Sequence, residues 1–248
     1  MNKMPQYKEI IITSQNGITI KANHYSNKFS KVIIISHGIC QNKDTYAFKL
    51  ISESFTDEYD VICFDYRGHG KSNGFYTYSA KEEYDLLSVV KLAKEKYKKI
   101  GLLGFSLGAA TAIITASKYG NIDSLIAVST PRDFNKINYG IWKKEAFKNF
   151  RHNLSKKGKG KKILPGYLFH KKPKAIEHVK NLNNLPVYFI HGSKDWLIKP
   201  HHSKYLYDNK VGKKKIEIFE NGNHAEMLFE EEPIKFKNIT RDWFKQTL

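Results

Sequence analysis

Hydrophobic residues along this 248-residue chain fall into two alternating rhythms. Short apolar, β-branched runs occupy 32–36, 61–64, 100–104, 125–129, 187–190 and 216–219. Short and dominated by apolar residues, they read as strands buried on both faces, as in a parallel sheet. Between them lie longer stretches with helical spacing. Over 81–97, Tyr84, Leu87 and Val90 join the Leu86, Val89 and Ala93 row on one broad face. The stretch 106–119 consists largely of small apolar residues, as a helix pressed against a sheet requires. From Pro233 onward, Ile234, Phe236, Ile239, Trp243 and Phe244 are expected to form a docking face. Ahead of all these, 9–13 and 18–25 flank Ser14-Gln15-Asn16-Gly17, whose Asn-Gly pair predicts a β-hairpin. The alternation predicts an α/β fold with a mostly parallel, doubly wound sheet and right-handed crossovers.

One stretch breaks the rhythm. Residues 131–185 show no convincing strand, only helical spacing around a lysine- and glycine-rich connector at 155–162. The first helical segment, 139–150, puts Tyr139, Trp142, Ala146 and Phe150 on one stripe. The expected organisation is a core domain formed by 1–130 and 186–248, with 131–185 inserted as a small helical cap. An ordinary long crossover is the alternative.

Composition narrows the possible partners. Forty-two lysines and arginines against 24 acids give a formal charge of +18. Such a surplus suits nucleic acid, anionic lipid or anionic small molecules. The lysines, however, are spread along the chain, arginine is scarce, and aromatics do not interleave with the basic clusters. These features speak against a reader of bases or a stacking platform. A solvated, lysine-rich surface is expected, with no nucleic-acid partner. Cys40 and Cys63 are too few for a disulfide framework or a metal cage, so two free thiols in a reducing compartment are expected. The first residues lack the apolar run of a secretion signal, and no stretch reaches membrane-spanning length. A cytoplasmic protein is the expectation.

The candidate chemistry begins where a buried strand meets the small-residue helix, at Gly104-Phe105-Ser106-Leu107-Gly108. A serine hydroxyl becomes a useful nucleophile only when exposed, fixed and paired with a base. Gly-x-Ser-x-Gly supports a tight strand-to-helix turn that lifts the serine above the sheet, with the helix dipole behind it. A base is expected after the last strand, in Glu220-Asn221-Gly222-Asn223-His224-Ala225-Glu226, where His224 sits in a turn-rich loop. An acid to orient it is expected after the preceding strand, in His191-Gly192-Ser193-Lys194-Asp195. Asp133, after the strand at 125–129, is the rival acid. The loop Ser36-His37-Gly38-Ile39-Cys40 offers the Ile39 N–H, and the helix start offers that of Leu107, as donors to a developing oxyanion. His37 is expected to shape that loop rather than act as base.

With these segments, and with Asp65-Tyr66-Arg67-Gly68-His69-Gly70-Lys71-Ser72 after the strand at 61–64, the chain resembles the α/β-hydrolase superfamily over nearly its whole length. Its nearest likeness is to small carboxylesterases, cinnamoyl (feruloyl) esterases and monoacylglycerol-lipase-like enzymes. The resemblance implies Ser106 as nucleophile, His224 as base, Asp195 as orienting acid, and Ile39 and Leu107 as the oxyanion hole. It implies a structural role for 65–72, and the likeness of Gly70-Lys71-Ser72 to a phosphate loop fails because Asp65 stands where the first glycine belongs. His201 and His202, being adjacent, are expected to diverge rather than bind a metal. No cofactor or metal is called for.

The implied reaction is hydrolysis of a small-molecule carboxylic ester through an acyl-enzyme. A thioester or a peptide bond is the alternative on the same residues, and an anionic-ligand or membrane-surface binder the non-enzymatic one. The aromatics of the expected cap (Tyr139, Trp142, Phe147, Phe150, Tyr167 and Phe169) suit an apolar or aryl acyl pocket and equally suit a core holding the cap down. Oligomeric state is not encoded legibly.

Overall fold

The computed structural model describes residues 6–137, 163–166 and 171–248. Each apolar run becomes a strand, and the hairpin adds two more. The strands are β1 (Lys8–Thr13), β2 (Thr19–Tyr25), β3 (Lys31–Ser36), β4 (Asp60–Phe64), β5 (Lys99–Phe105), β6 (Ser124–Val128), β7 (Val187–Gly192) and β8 (Lys214–Phe219). They form one sheet in the order β1-β2-β4-β3-β5-β6-β7-β8. β1 and β2 pair antiparallel, as does β2 with β4, and every pairing from β4 through β8 is parallel. The hairpin turn is a 3₁₀ turn at Gln15–Gly17, where Asn16 and Gly17 take φ of 61° and 72°, the left-handed region that this pair tolerates.

Seven helices are described: α1 (Tyr46–Glu53), α2 (Glu82–Lys96), α3 (Leu107–Tyr119), α4 (Ala175–Val179), α5 (His201–Asn209), α6 (Met227–Glu231) and α7 (Pro233–Thr247). Side-chain alternation in the strands sorts the core into two layers. In β3, Val32 and Ile34 join the layer under α2, α3 and α4, whereas Ile33 and Ile35 join the layer under α1, α6 and α7. All four are fully buried, each contributing about 1.5–3 kcal/mol of apolar burial.

Three details differ from the sequence expectation. In α2 the buried apolar row is Leu86, Val89, Val90 and Ala93, with the acids Glu82, Glu83 and Asp85 also buried, and Tyr84 and Leu87 are half-buried beside it. Two positions correspond to 200° around a helix, so Tyr84 and Leu86 cannot share a face. In α7 the inward stripe is Phe236, Thr240, Trp243 and Phe244, and Ile234 is 76% exposed for the same reason. Finally, β8 is an edge strand, only partly covered. Around it, Lys213, Lys214, Lys215 and Lys235 stand over the rings of Trp243, Tyr207, Tyr188 and Phe219. Lysines laid along an edge discourage pairing with another chain.

The expected cap helix at 139–150 and connector at 155–162 lie outside the described residues, as do Tyr139, Trp142, Phe147, Phe150, Tyr167 and Phe169. Within 131–185, residues 163–166 bridge to the turn after β4, through Leu164 N–H to Gly68 O at 2.8 Å and Tyr76 N–H to Leu164 O at 2.7 Å. Ala175 and Val179 of α4 are buried in the core layer they share with α3.

The turn at 65–72 is held by buried charge. Asp65 accepts the Lys43 and Lys71 N–H groups at 2.7 and 2.8 Å. Arg67 donates through Nε and Nη2 to Asp85 at 2.9 and 2.6 Å, and Ser14 Oγ donates to the same carboxylate at 2.7 Å. These contacts tie the hairpin, the turn and α2 together.

Candidate active site

β3 is the strand at which the sheet changes winding direction, with β4 on one side and β5 on the other. A crevice opens beyond the carboxyl ends of strands at such a point, and the segments after β3 and β5 meet there. Ser106 occupies the one-residue turn between β5 and α3 with φ 51° and ψ −111°, a conformation that costs a non-glycine residue on the order of 1–3 kcal/mol. Close packing sustains it. A side chain at Gly104 would press on the backbone of Gly108 and Ala109, and one at Gly108 would collide with Ser36 and the His37 carbonyl. The two glycines thus let the start of α3 sit directly on β3 and β5.

His224 lies in the loop after β8 and Asp195 in the loop after β7. Asp195 Oδ2 is 2.7 Å from His224 Nδ1, and His224 Nε2 is 3.0 Å from Ser106 Oγ. A carboxylate only accepts, so Nδ1 carries the proton, and Nε2 of the neutral ring accepts from the serine hydroxyl. Asp195 is fully buried, and its Oδ1 takes the Leu197 and Ile198 N–H groups at 3.0 and 2.8 Å. Burial alone would raise the Asp195 carboxyl, but the His224 charge and hydrogen bonds from His191 and His224 hold it well below the usual carboxylate range. Burial likewise opposes the imidazolium of His224, yet the Asp195 charge and hydrogen bond, with Glu226 nearby, lift its pKa above the ordinary 6.5. Ser106 and His224 keep 7% and 9% exposure, so the pair is sheltered without being sealed.

The loop after β3 runs beside the serine: the outward direction from the Gly38 backbone meets Ser106 Cβ. Leu107 opens α3, so its N–H belongs to the first turn, whose amides the helix leaves unpaired. Ile39 follows Gly38 in the neighbouring loop. His37 is fully buried, with Nδ1 2.7 Å from Gly38 O and Nε2 accepting the Tyr66 N–H at 3.2 Å. Burial first, then the nearby His69, pull its pKa down to about 3. Both ring nitrogens are occupied in holding the loop.

Asp133 lies elsewhere in its contacts. Its side chain accepts the Asn135 N–H at 2.9 Å and faces Lys174 at 3.7 Å. The His201 and His202 rings do not diverge as expected. Their centroids are 4.5 Å apart, because α5 starts at His201 and His202 is drawn inward to accept the Arg132 N–H at 3.3 Å. Among the described residues no group of three potential ligands is arranged to hold a metal ion.

Several contributors escaped the sequence reading. His191 touches Asp195 Oδ2 at 3.1 Å. Ser129 Oγ accepts the Ala225 N–H at 3.0 Å. Gln41 Nε2 donates to Glu226 at 2.6 Å, joining the loop after β3 to the loop that carries His224. For His191 a signal was present: it continues the apolar run of a strand buried on both faces, and a buried imidazole must find partners.

A protein-family model described as the alpha/beta hydrolase fold matches residues 31–155. The chain belongs to that family. It is similar to the Bacillus subtilis protein YqkD, with 29% identity over 231 residues, covering 87% of this chain and 72% of that one. It is also similar to the human serine hydrolase BPHL, at 24% over 195 residues, covering 67% of this chain and 63% of that one. Among solved structures, the Pyrococcus furiosus esterase Pf2001 superposes with a TM-score of 0.80 at 25% identity, covering 100% of this chain and 95% of that one. The esterase RhEst1 from Rhodococcus shares the fold, with a TM-score of 0.78 at 20% identity and 97% and 99% coverage. No described helix is long and apolar enough to cross a membrane.

Proposed function

We propose that this chain is a serine hydrolase that cleaves small-molecule carboxylic esters through an acyl-enzyme on Ser106. The observation that carries the reading is the unbroken run of contacts from Ser106 Oγ to His224 at 3.0 Å and from His224 to Asp195 at 2.7 Å. In this reaction Ser106 Oγ bonds to the acyl carbon while its proton passes to His224 Nε2. Asp195 holds the Nδ1–H tautomer and stabilises the imidazolium that forms. The backbone N–H groups of Ile39 and Leu107 receive the negative charge on the former carbonyl oxygen. Collapse breaks the ester C–O bond, and His224 returns the proton to the departing alcohol. A water then repeats the cycle, with His224 as its base, and releases the acid.

The same groups cleave a thioester or, given a suitable pocket, a peptide. An ester is favoured here by the likeness to esterase structures. The segment between β6 and β7, residues 131–185, is taken as the insertion that selects the acyl group. The two free thiols suit a reducing compartment such as the cytoplasm.

A fluorophosphonate probe tests the reading, because it labels only an activated serine. Wild type labels and hydrolyses a p-nitrophenyl ester, and Ser106→Ala does neither. Equal labelling of both proteins would assign the nucleophile elsewhere.

A further inference from the structure

One more buried imidazole touches the carboxylate of Asp195. His191 lies in β7 and is fully buried. Its Nε2 is 2.7 Å from Ile198 O and 3.1 Å from Asp195 Oδ2, the oxygen that also takes the His224 Nδ1–H. A carbonyl oxygen only accepts, so Nε2 carries the proton and shares it between the two oxygens. Its Nδ1 is 2.6 Å from Ser203 Oγ, at the start of α5. In the neutral ring Nδ1 is the acceptor, so the Ser203 hydroxyl donates and fixes the tautomer. The same pattern therefore occurs twice: a hydroxyl bonded to an imidazole that meets Asp195 Oδ2, Ser106 with His224 and Ser203 with His191.

We infer that His191, held in its Nε2–H form by Ser203, is a positioning residue that sets Asp195 Oδ2 against His224. The inference rests on the triad reading above. The Leu197 and Ile198 amides pin Oδ1 but leave Oδ2 to be placed by its own two donors. His191 is the donor that stays in place through the reaction, while His224 changes protonation state. By taking part of the Oδ2 charge, His191 also limits how strongly the carboxylate holds a proton on His224. Besides Asp195 and His224, the titratable groups that act with His191 are His201 and His202 of α5; Arg132 acts on both of those rings and Lys199 on His201, and Lys199 Nζ also donates to the Asp195 carbonyl at 3.1 Å. Burial, followed by the neighbouring His201 and Arg132, keeps His202 neutral, with a pKa of about 4.

The test compares wild type, His191→Phe, His191→Gln and Ser203→Ala in hydrolysis of a p-nitrophenyl ester across pH 5–9, with Ser106→Ala as control. Phe fills the volume without the donor, whereas the Gln amide returns an N–H near the place of Nε2. His191→Phe is expected to lower kcat by roughly 10- to 100-fold, the effect of losing one hydrogen bond to a charged group. KM should hold, and the acid limb of kcat/KM should move to higher pH. His191→Gln should recover part of the loss and return the limb toward the wild-type position. Ser203→Ala, which removes one hydroxyl, should lower kcat and move the limb in the same direction as His191→Phe. It therefore carries the test alone if His191→Phe does not fold. If Phe and Gln give the same kcat and the same limb, or Ser203→Ala matches wild type in both, while Ser106→Ala is dead, the triad stands and the role of His191 falls. Turnover surviving in Ser106→Ala would remove the triad reading, and this inference with it.

Discussion

Ser129 and Ala225, 96 residues apart, meet at 3.0 Å, the serine hydroxyl accepting the alanine N–H. The contact fastens the loop that carries His224 to the end of β6. Both residues adopt left-handed backbone, with φ of 49° and 53°. Ser129→Ala leaves a buried amide unpaired, which costs about 1–3 kcal/mol. Since 1.36 kcal/mol is a factor of ten in rate, turnover of a p-nitrophenyl ester should fall by on the order of tenfold, with fluorophosphonate labelling slowed in parallel. An unchanged kcat would show that the loop is held without this contact.

The electrostatics of His224 set the pH dependence. As the proposed base, His224 must be neutral to accept the serine proton, and Asp195 favours its charged form, so kcat/KM should rise with pH through a midpoint above the ordinary 6.5. The same raised pKa stabilises the fold fully below the unfolded value and fades as pH climbs through the folded one. Asp195→Asn removes the charge, so the midpoint should move down in pH while kcat drops on the order of 10³–10⁴. Asp133→Asn should leave both the midpoint and turnover close to wild type, because Asp133 caps its own turn. Equal losses in the two variants would return the assignment of the acid to question.

Arg67 and Asp85 form a buried ion pair 18 positions apart. Arg67→Leu strands the carboxylate and should cost about 3–5 kcal/mol. At roughly 2–4 °C per kcal/mol for a chain of this size, Tm should fall by about 10 °C in calorimetry. Replacing both residues by leucine should recover part of that fall, since no lone charge is then left inside. A double variant less stable than Arg67→Leu would mean that the Ser14 hydroxyl and the Arg67 backbone N–H, which donates to Asp85 Oδ2 at 3.0 Å, outweigh the pair itself.

The inner strands were legible because each is dominated by an apolar run, and burial on both faces leaves no other reading for residues such as 32–36, whereas β1 and β2 were legible from the turn that joins them. Ser106, His224 and Asp195 were legible because each sits in a loop at the carboxyl end of such a run. The helices α1, α5 and α6 were not foreseen. α5 buries only His202, Ser203 and Leu206, and α6 is barely more than a turn, so neither leaves an apolar rhythm to detect. Buried polar pairs were equally hidden. Nothing local to Asp85 announces that Ser14, 71 positions away, will donate to it. His191 was read only as a neighbour of Asp195, although its place at the end of a buried strand required a partner.

His224, the proposed base, is mounted beyond β8, the strand at the rim of the sheet, which has a neighbour on one flank only. Ser106, the proposed nucleophile, rides by contrast on β5 near the centre. Rims loosen at lower temperature than interiors. Warming should therefore separate His224 from Ser106 while the inner strands are still intact, and hydrolysis should cease before circular dichroism records any melting. On that expectation the heat tolerance of hydrolysis is set by one border and its loop, and that border is where reinforcement would matter first.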